Sequence, residues 1–416
     1  MLRPTPFLLF LSLALLAGAA CSQELRVSHW WKSDSEREAA AVLAAEARRA
    51  HIGWRELEVG DGVSVNIILR SRVLTDDLPD VVQVNTVPAP MWMISGQSLP
   101  LDEVAAAGGW DRKLLPVIAR MIRSDGVVQA VPLGVHRANT LFFNRRLFHK
   151  LGLLPPRDWT EFEKTAERLR RAGITPLAQS SEPDEIGFLL QNIVLASAGP
   201  AFHKRIYLDG DEAAIADPRL AQALTQLRRL KRWMPQPLDE QGWVDVVRRF
   251  VGGEAAMMVA GDWVKAQLRS GGWVIDADFG CAAAPGTAAY HLYVFDALMM
   301  MNGRAEVRPA QRKLAARLMS DRVQERYNFF KGSVPGLRRP DLAAMDSCAR
   351  ESWRLLSSSP DALVPTLSAG VVGDEARRTE FSAEVHRFFR DDRIGVQDSV
   401  QRLIRISRAI KKTNSP

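Results

Sequence analysis

From Leu25 to His29 apolar and polar side chains alternate, which predicts a short strand, and the pattern then changes abruptly. Ser33 and Glu36 form an S-x-x-E capping box ahead of an alanine-rich helix, so Trp30 and Trp31 fall on a strand-to-helix turn. Trp54 to Val59 and Asp80 to Val84 read as further strands, with a helix over Val63 to Leu74 between them. This β-α-β-α-β order points to a parallel sheet covered by helices. Short helices are expected over Ala89 to Gly96 and Leu101 to Ala107, and a longer one over Trp110 to Ile122. Paired strands follow over Val127 to Leu133 and Ala138 to Asn144.

Beyond that point the periodicity is mainly helical: Arg145 to Leu151, Thr160 to Ala172 behind a Thr160-x-x-Glu163 box, Ile186 to Ala198, and Pro218 to Met234. A strand is expected over Thr175 to Gln179. The strand-then-turn arrangement returns at Ala255 to Val259, where Gly261-Asp262-Trp263 breaks the apolar run before a helix. Tyr293 to Met301 is an apolar strand interrupted by Asp296, a carboxylate that must be paired or face a wet cleft; the cleft is the favoured reading. Another helix closes at Lys331-Gly332-Ser333, with Gly332 a fitting cap and Lys331 a cation at the helix C-terminus. The final helices, Glu375 to Phe389 and Val396 to Lys411, have the mixed charges of solvated faces.

A chain of 416 residues exceeds one ordinary core at roughly 100 to 200 residues per domain, so two lobes or more are expected. Without a linker, repeat or charge block, the backbone is expected to cross between them more than once, the crossings acting as a hinge. The 47% apolar and 25% charged residues are those of a soluble globular protein. Although 55 basic residues against 48 acidic ones give +7, they are dispersed, which disfavours nucleic acid as a partner. Arg3, the apolar run Phe7 to Ala17 and the small residues Gly18-Ala19-Ala20 make residues 1–22 a signal peptide. Cys21 stands where a lipoprotein is acylated, but Gly18 replaces the usual Leu, so ordinary cleavage is an equal alternative. That leaves Cys281 and Cys348 as exported thiols, which spacing alone does not pair.

The chain lacks the phosphate-binding G-x-x-x-x-G-K-S/T, a G-x-G-x-x-G after a strand, and the G-x-S-x-G elbow. Its seven histidines are widely spaced and form no metal motif, so no metal or cofactor is expected. What it has is aromatic residues and isolated carboxylates at strand ends, with 11 Trp against 4 Tyr. Indoles at the carboxyl ends of strands suit the C–H faces of a sugar ring, while the bland alternative is that they plug the core.

In order along the chain stand His29-Trp30-Trp31 with Ser33 and Glu36, Gln83-Val84, Ala130-Val131-Pro132 with His136-Arg137, and Ala172-Gly173 with Pro176-Leu177-Ala178. Then come Gly261-Asp262-Trp263-x-Lys265, Pro285-Gly286-Thr287, Asp296 and Lys331-Gly332-Ser333-x-Pro335. As an ordered set this resembles the extracellular solute-binding proteins of bacterial ABC sugar importers, most closely their periplasmic glucose-binding branch. The resemblance implies an α/β, two-lobed periplasmic-binding-protein fold with hinge strands and a central ligand cleft. The N-terminal lobe would take residues 23–135 plus about 285–340, and the C-terminal lobe 136–284 plus about 341–416.

Carried over by position, Trp30, Trp31 and Trp263 would stack on a sugar, Glu36, Asp296 and Lys331 would hydrogen-bond its hydroxyls, and Cys281 and Cys348 would form a disulfide. Three positions depart from the pattern. Asn85 replaces Lys or His after Gln83-Val84, Asp184 replaces an aromatic after Glu182-Pro183, and Ala369 or Gly370 replaces a His near Leu363-x-Pro365. Sugar binding is carried over and glucose is not. The expected protein is a periplasmic monomer, not an enzyme, that delivers a mono- or small oligosaccharide to an inner-membrane ABC permease. The alternatives are a sugar-binding accessory of a sensor kinase, or a secreted glycoside hydrolase with Glu36, Asp262 and Asp296 as candidate acids.

Overall fold

A computed structural model describes residues 23–57, 72, 75, 77–85, 96–236, 238, 242–367 and 375–413. The expected signal peptide with Cys21, the positions 369 and 370, and nearly all of the helices expected over 63–74 and 89–96 lie outside the described residues.

The first sheet begins as the alternation predicts, with Glu24–Ser28 parallel to both Gly53–Leu57 and Val81–Val84. Its centre is less regular. The strand His291–Met300 enters antiparallel to Val81–Val84 and to Ala130–Arg137, and runs parallel to Leu363–Pro365 at its other end. The sheet is therefore mixed where a parallel one is expected, because a segment some two hundred residues downstream completes it. Leu25, Val27, Leu43, Val82, Leu298 and Leu314 are among the apolar side chains that close this lobe's core.

The second lobe is built on the order Phe279–Ala283, Thr140–Asn144, Ala255–Ala260, Thr175–Leu177. Its core draws in the C-terminal helices Glu375–Arg390 and Val396–Thr413 through Phe388, Phe389 and Leu403. Pro183–Tyr207 is long and apolar enough to cross a membrane, yet Gly199 (φ 76°) kinks it and most of its first half is buried in this core.

Two helices depart from expectation for local reasons. Trp110 to Ile122 is two short helices, Trp110–Lys113 and Pro116–Met121, because the residue before Pro116 is held extended, with Leu115 at ψ 142°. Trp159–Arg171 starts behind Asp158, whose Oδ1 accepts the Glu161 N–H at 2.7 Å, so Asp158 takes the capping role expected of Thr160.

The described chain passes between the lobes three times: from sheet to sheet after Arg137 and between Ala283 and His291, and after Pro365 from the first sheet to the C-terminal helices of the second lobe. Fully buried Asn139 clamps the first two crossings together. Its Nδ2 donates to Thr287 Oγ1 at 3.0 Å and to the Tyr290 carbonyl at 2.9 Å, while its Oδ1 accepts the Leu292 N–H at 2.9 Å. Beside the crossings, a disulfide joins Cys281 on the second sheet to Cys348 on the helix Ser347–Ser358.

Candidate functional site

Where the lobes meet, five charged side chains from five elements line up in alternating sign. Asp262, in the turn before Trp263–Ser270, accepts from His136 Nδ1 at 2.5 Å. His136 Nε2 lies 3.5 Å from Asp296 Oδ2, which lies 3.9 Å from Lys331 Nζ; Lys331 then donates to Glu36 Oε1 at 3.2 Å. The two end links are hydrogen bonds and the two central ones are too long to be.

Local sequence explains how each group arrives. Glu36 is fixed by the capping box itself: Ser33 Oγ accepts the Glu36 N–H, and Glu36 Oε2 accepts the N–H groups of Lys32 and Ser33. Lys331 ends the helix Asp321–Lys331, and Gly332 turns the chain at φ 88°. A Cβ on Gly332 would lie 2.4 Å from the Asp262 carbonyl oxygen, so only glycine lets this turn reach the second lobe. Asp296 sits at a bulge where the pairing with Ala130–Arg137 slips by a residue. Bulges re-aim side chains, which is how a carboxylate inside an apolar strand comes to point at cations.

Burial alone would raise the pKa of Glu36 and Asp296, but in both cases it is outweighed and the carboxyls are held below their ordinary range. For Glu36 the opposing influences are Lys331 and the Lys32 and Ser33 amides; for Asp296 they are His136, Lys331 and Gln83. Reciprocally, burial would lower Lys331 and His136, yet the carboxylates around them keep both raised. Every titrating member for which a direction is resolved is thus held in its charged form. A general acid for glycoside cleavage must keep its proton, and neither Glu36 nor Asp296 does.

Glu36, Asp296 and Lys331 are brought together. Trp263 stands beside them, its ring 5.5 Å from His136 and 5.8 Å from Phe188, and folded back over Gly261. Trp30 is partly buried against the first core, and its N–H donates to Gln83 Oε1 at 3.3 Å. Trp31 is 4% exposed, inside that core, stacked on His29 at 4.6 Å and tilted against Tyr327 at 5.9 Å. Asn85 follows the strand Val81–Val84, half-buried, and hydrogen-bonds none of the five among the described residues. Asp184 is paired with Arg378 at 2.7 Å, away from the cluster.

Sequence reasoning quoted Gln83 and His136 only as parts of motifs. Yet Gln83 Nε2 donates to Asp296 Oδ1 at 3.3 Å, and His136 stands between two carboxylates. The available signal was the polar residue at the end of each of two buried apolar strands. Among the described residues no group of three His, Cys, Asp or Glu side chains is placed to hold a metal ion.

Two α/β lobes joined by three crossings, with a polar cluster where they meet, define a binding protein of the hinged class. The chain belongs to the bacterial extracellular solute-binding proteins, whose family model matches residues 55–297. This is a family of binding proteins, not of enzymes. A "Probable sugar-binding periplasmic protein" of Brucella suis is 26% identical over 407 residues, 97% of this chain and 96% of that one. One of the same description from Rhizobium meliloti is 28% identical over 351 residues, 84% of each. Solved structures share the fold: a chitin oligosaccharide binding protein matches with TM-score 0.79 at 17% identity, over 93% of this chain and 98% of its own. RafE in complex with raffinose matches with TM-score 0.76 at 16% identity, over 94% and 100%.

Proposed function

We propose that the mature protein is a periplasmic monomer that captures a mono- or small oligosaccharide between its lobes and hands it to an inner-membrane ABC permease. The observation that carries this is the alternating charged cluster. Buried acceptors and donors locked in their ionised forms suit sugar hydroxyls, since a hydrogen bond to a charged group contributes about 1.5–3 kcal/mol against about 1 for a neutral pair. Glu36, Asp296 and Lys331 supply these bonds, Trp263 and Trp30 the stacking faces, and Asn85 a polar edge. Trp31 supports the site from beneath, since its indole has little free surface.

Export by the segment 1–22 and the alternative of a lipid anchor at Cys21 belong to the same proposal. So does closure about the crossings on ligand, of a lobe of 23–135 with about 285–365 upon one of 136–284 with the C-terminal helices; the strand Leu363–Pro365 in the first sheet and Ala349 and Leu356 in its core support this later boundary over the one expected at about 340. The relatives' descriptions and the near-complete overlap with them support the sugar and the compartment.

Native mass spectrometry of the protein isolated from periplasm tests the reading. It should show a carbohydrate mass that denaturation releases intact. A non-carbohydrate ligand, or a sugar released as cleavage products, would overturn it.

A further inference from the structure

Three buried polar groups beside the cluster have no hydrogen-bond partner among the described residues: the Trp31 indole N–H, the Tyr327 hydroxyl and Asp296 Oδ2. They are sealed in side chains only 4%, 1% and 3% exposed. Buried donors and acceptors are rarely left unpaired, and an unpaired one is costly. Tyr327 adjoins both of the others. Its ring is in contact with that of Trp31 at 5.9 Å, and its hydroxyl faces Asp296, whose charge it feels with that of Glu36 and with which it makes at most a marginal hydrogen bond that falls short of good geometry. Asp296 Oδ2 is also the atom that lies 3.5 Å from His136 Nε2 and 3.9 Å from Lys331 Nζ, bonded to neither.

The chemistry of this corner is complementary to one group. Burial first, and then the two carboxylates, raise the Tyr327 pKa well above its ordinary value, so the hydroxyl keeps its proton and acts as a donor. Asp296 Oδ2, ionised, only accepts. A guest that satisfies both must accept one hydrogen bond and donate another from a single atom, as an alcohol does.

We infer that Tyr327 is a specificity-determining residue, its hydroxyl donating to the innermost hydroxyl of a bound sugar while that hydroxyl donates to Asp296 Oδ2. The inference rests on the sugar-binding reading and sharpens it. The protein discriminates among sugars at one ring position, and it does so through a residue on the helix Asp321–Lys331 that none of the aromatic stacking assignments includes. A site built to bond a particular hydroxyl rejects analogues lacking it, because its own buried groups are then left unpaired.

The test uses isothermal titration with D-glucose, D-galactose, D-mannose, D-xylose, maltose, cellobiose and diacetylchitobiose, followed by every monodeoxy derivative of the tightest binder. Tyr327→Phe keeps the ring and removes only the hydroxyl. It should weaken binding of the parent sugar about tenfold or more, yet leave binding of one monodeoxy derivative unchanged. Its ligand-free melting temperature should stay level or rise, because an unpaired buried group has been removed. Equal losses across all derivatives, or none, would overturn the inference and leave the sugar reading standing. A drop of several degrees in melting temperature with unchanged affinity would assign the hydroxyl to a permanently bound water and also overturn it. Failure of the unmodified protein to bind any of these sugars would overturn both.

Discussion

His136 and His203 are both sealed from solvent, 2% and 0% exposed, but their surroundings are opposite. His136 stands between Asp262 and Asp296 at the meeting of the lobes, and those carboxylates overcome burial to raise its pKa. His203 lies in the second lobe's interior against Tyr207, ring centroids 4.5 Å apart. Neither of its nitrogens has a partner among the described residues, and burial alone pushes its pKa down to about 3. One site keeps charges by pairing them in alternation, whereas the other, with no carboxylate beside it among the described residues, keeps His203 neutral. Depth in the fold therefore does not mark a site; convergence of opposite charges from separate elements does.

The charged cluster depends most on Lys331. Lys331→Met leaves Glu36 and Asp296 buried without their shared cation, which should destabilise the protein by about 3–5 kcal/mol in denaturant melts and abolish sugar binding. A variant of near-native stability would mean the alternation contributes little.

Reduction of the disulfide should also be large but confined to stability. Closing a loop of 67 residues contributes about 4 kcal/mol in the chain-entropy model. A Cys281→Ser, Cys348→Ser protein at a temperature where it stays folded should bind sugar with unchanged affinity. A matching loss of affinity would tie the disulfide to recognition.

Trp263→Ala comes next. If the indole stacks on sugar, affinity falls by about 2 kcal/mol; if it plugs the core, stability falls by about 3–5 kcal/mol with affinity intact. Its position beside His136 and its partial burial favour the first outcome in paired titration and melting experiments.

The histidines themselves give the smallest effects, with opposite pH signatures. A raised folded pKa means that the His136 contribution is complete below its ordinary value of 6.5 and is lost as pH rises through the elevated one. A depressed folded pKa means that His203 costs stability as pH falls below 6.5, at up to about 1.4 kcal/mol per pH unit, because only the unfolded chain takes up the proton. His136→Asn should flatten the alkaline side of the stability profile, and His203→Phe should lessen the acid side. Either substitution flattening the other limb would contradict the assigned environments.

These differences also mark what the sequence discloses. The capping box at Ser33 and Glu36, the Gly332 cap and the broken strand at Gly261 are local arrangements, and each was legible because its partners lie within a few residues. That Asp296 must be paired or face water followed from the expense of a carboxylate in an apolar strand; it is buried, 3% exposed, with His136 and Lys331 beside it, so charge pairing and not the favoured wet cleft is what surrounds it. By contrast, His136 meets Asp262 across 126 positions and Lys331 meets Glu36 across 295, pairings that only the finished topology specifies. The two adjacent tryptophans diverge for the same reason. Trp31 turns into the first core onto His29 and Tyr327 while Trp30 stays at its margin, and the alternation of the strand before them does not extend through the turn.

The claim that this cluster is where sugar binds is tested most directly by titrating the unmodified protein and Lys331→Met side by side with the sugar that the unmodified protein binds best, under conditions where both are folded. Saturable one-to-one binding by the first, with none by the second and no sugar consumed by either, is the predicted result. Equal affinity of the two proteins would place the sugar elsewhere and contradict the account.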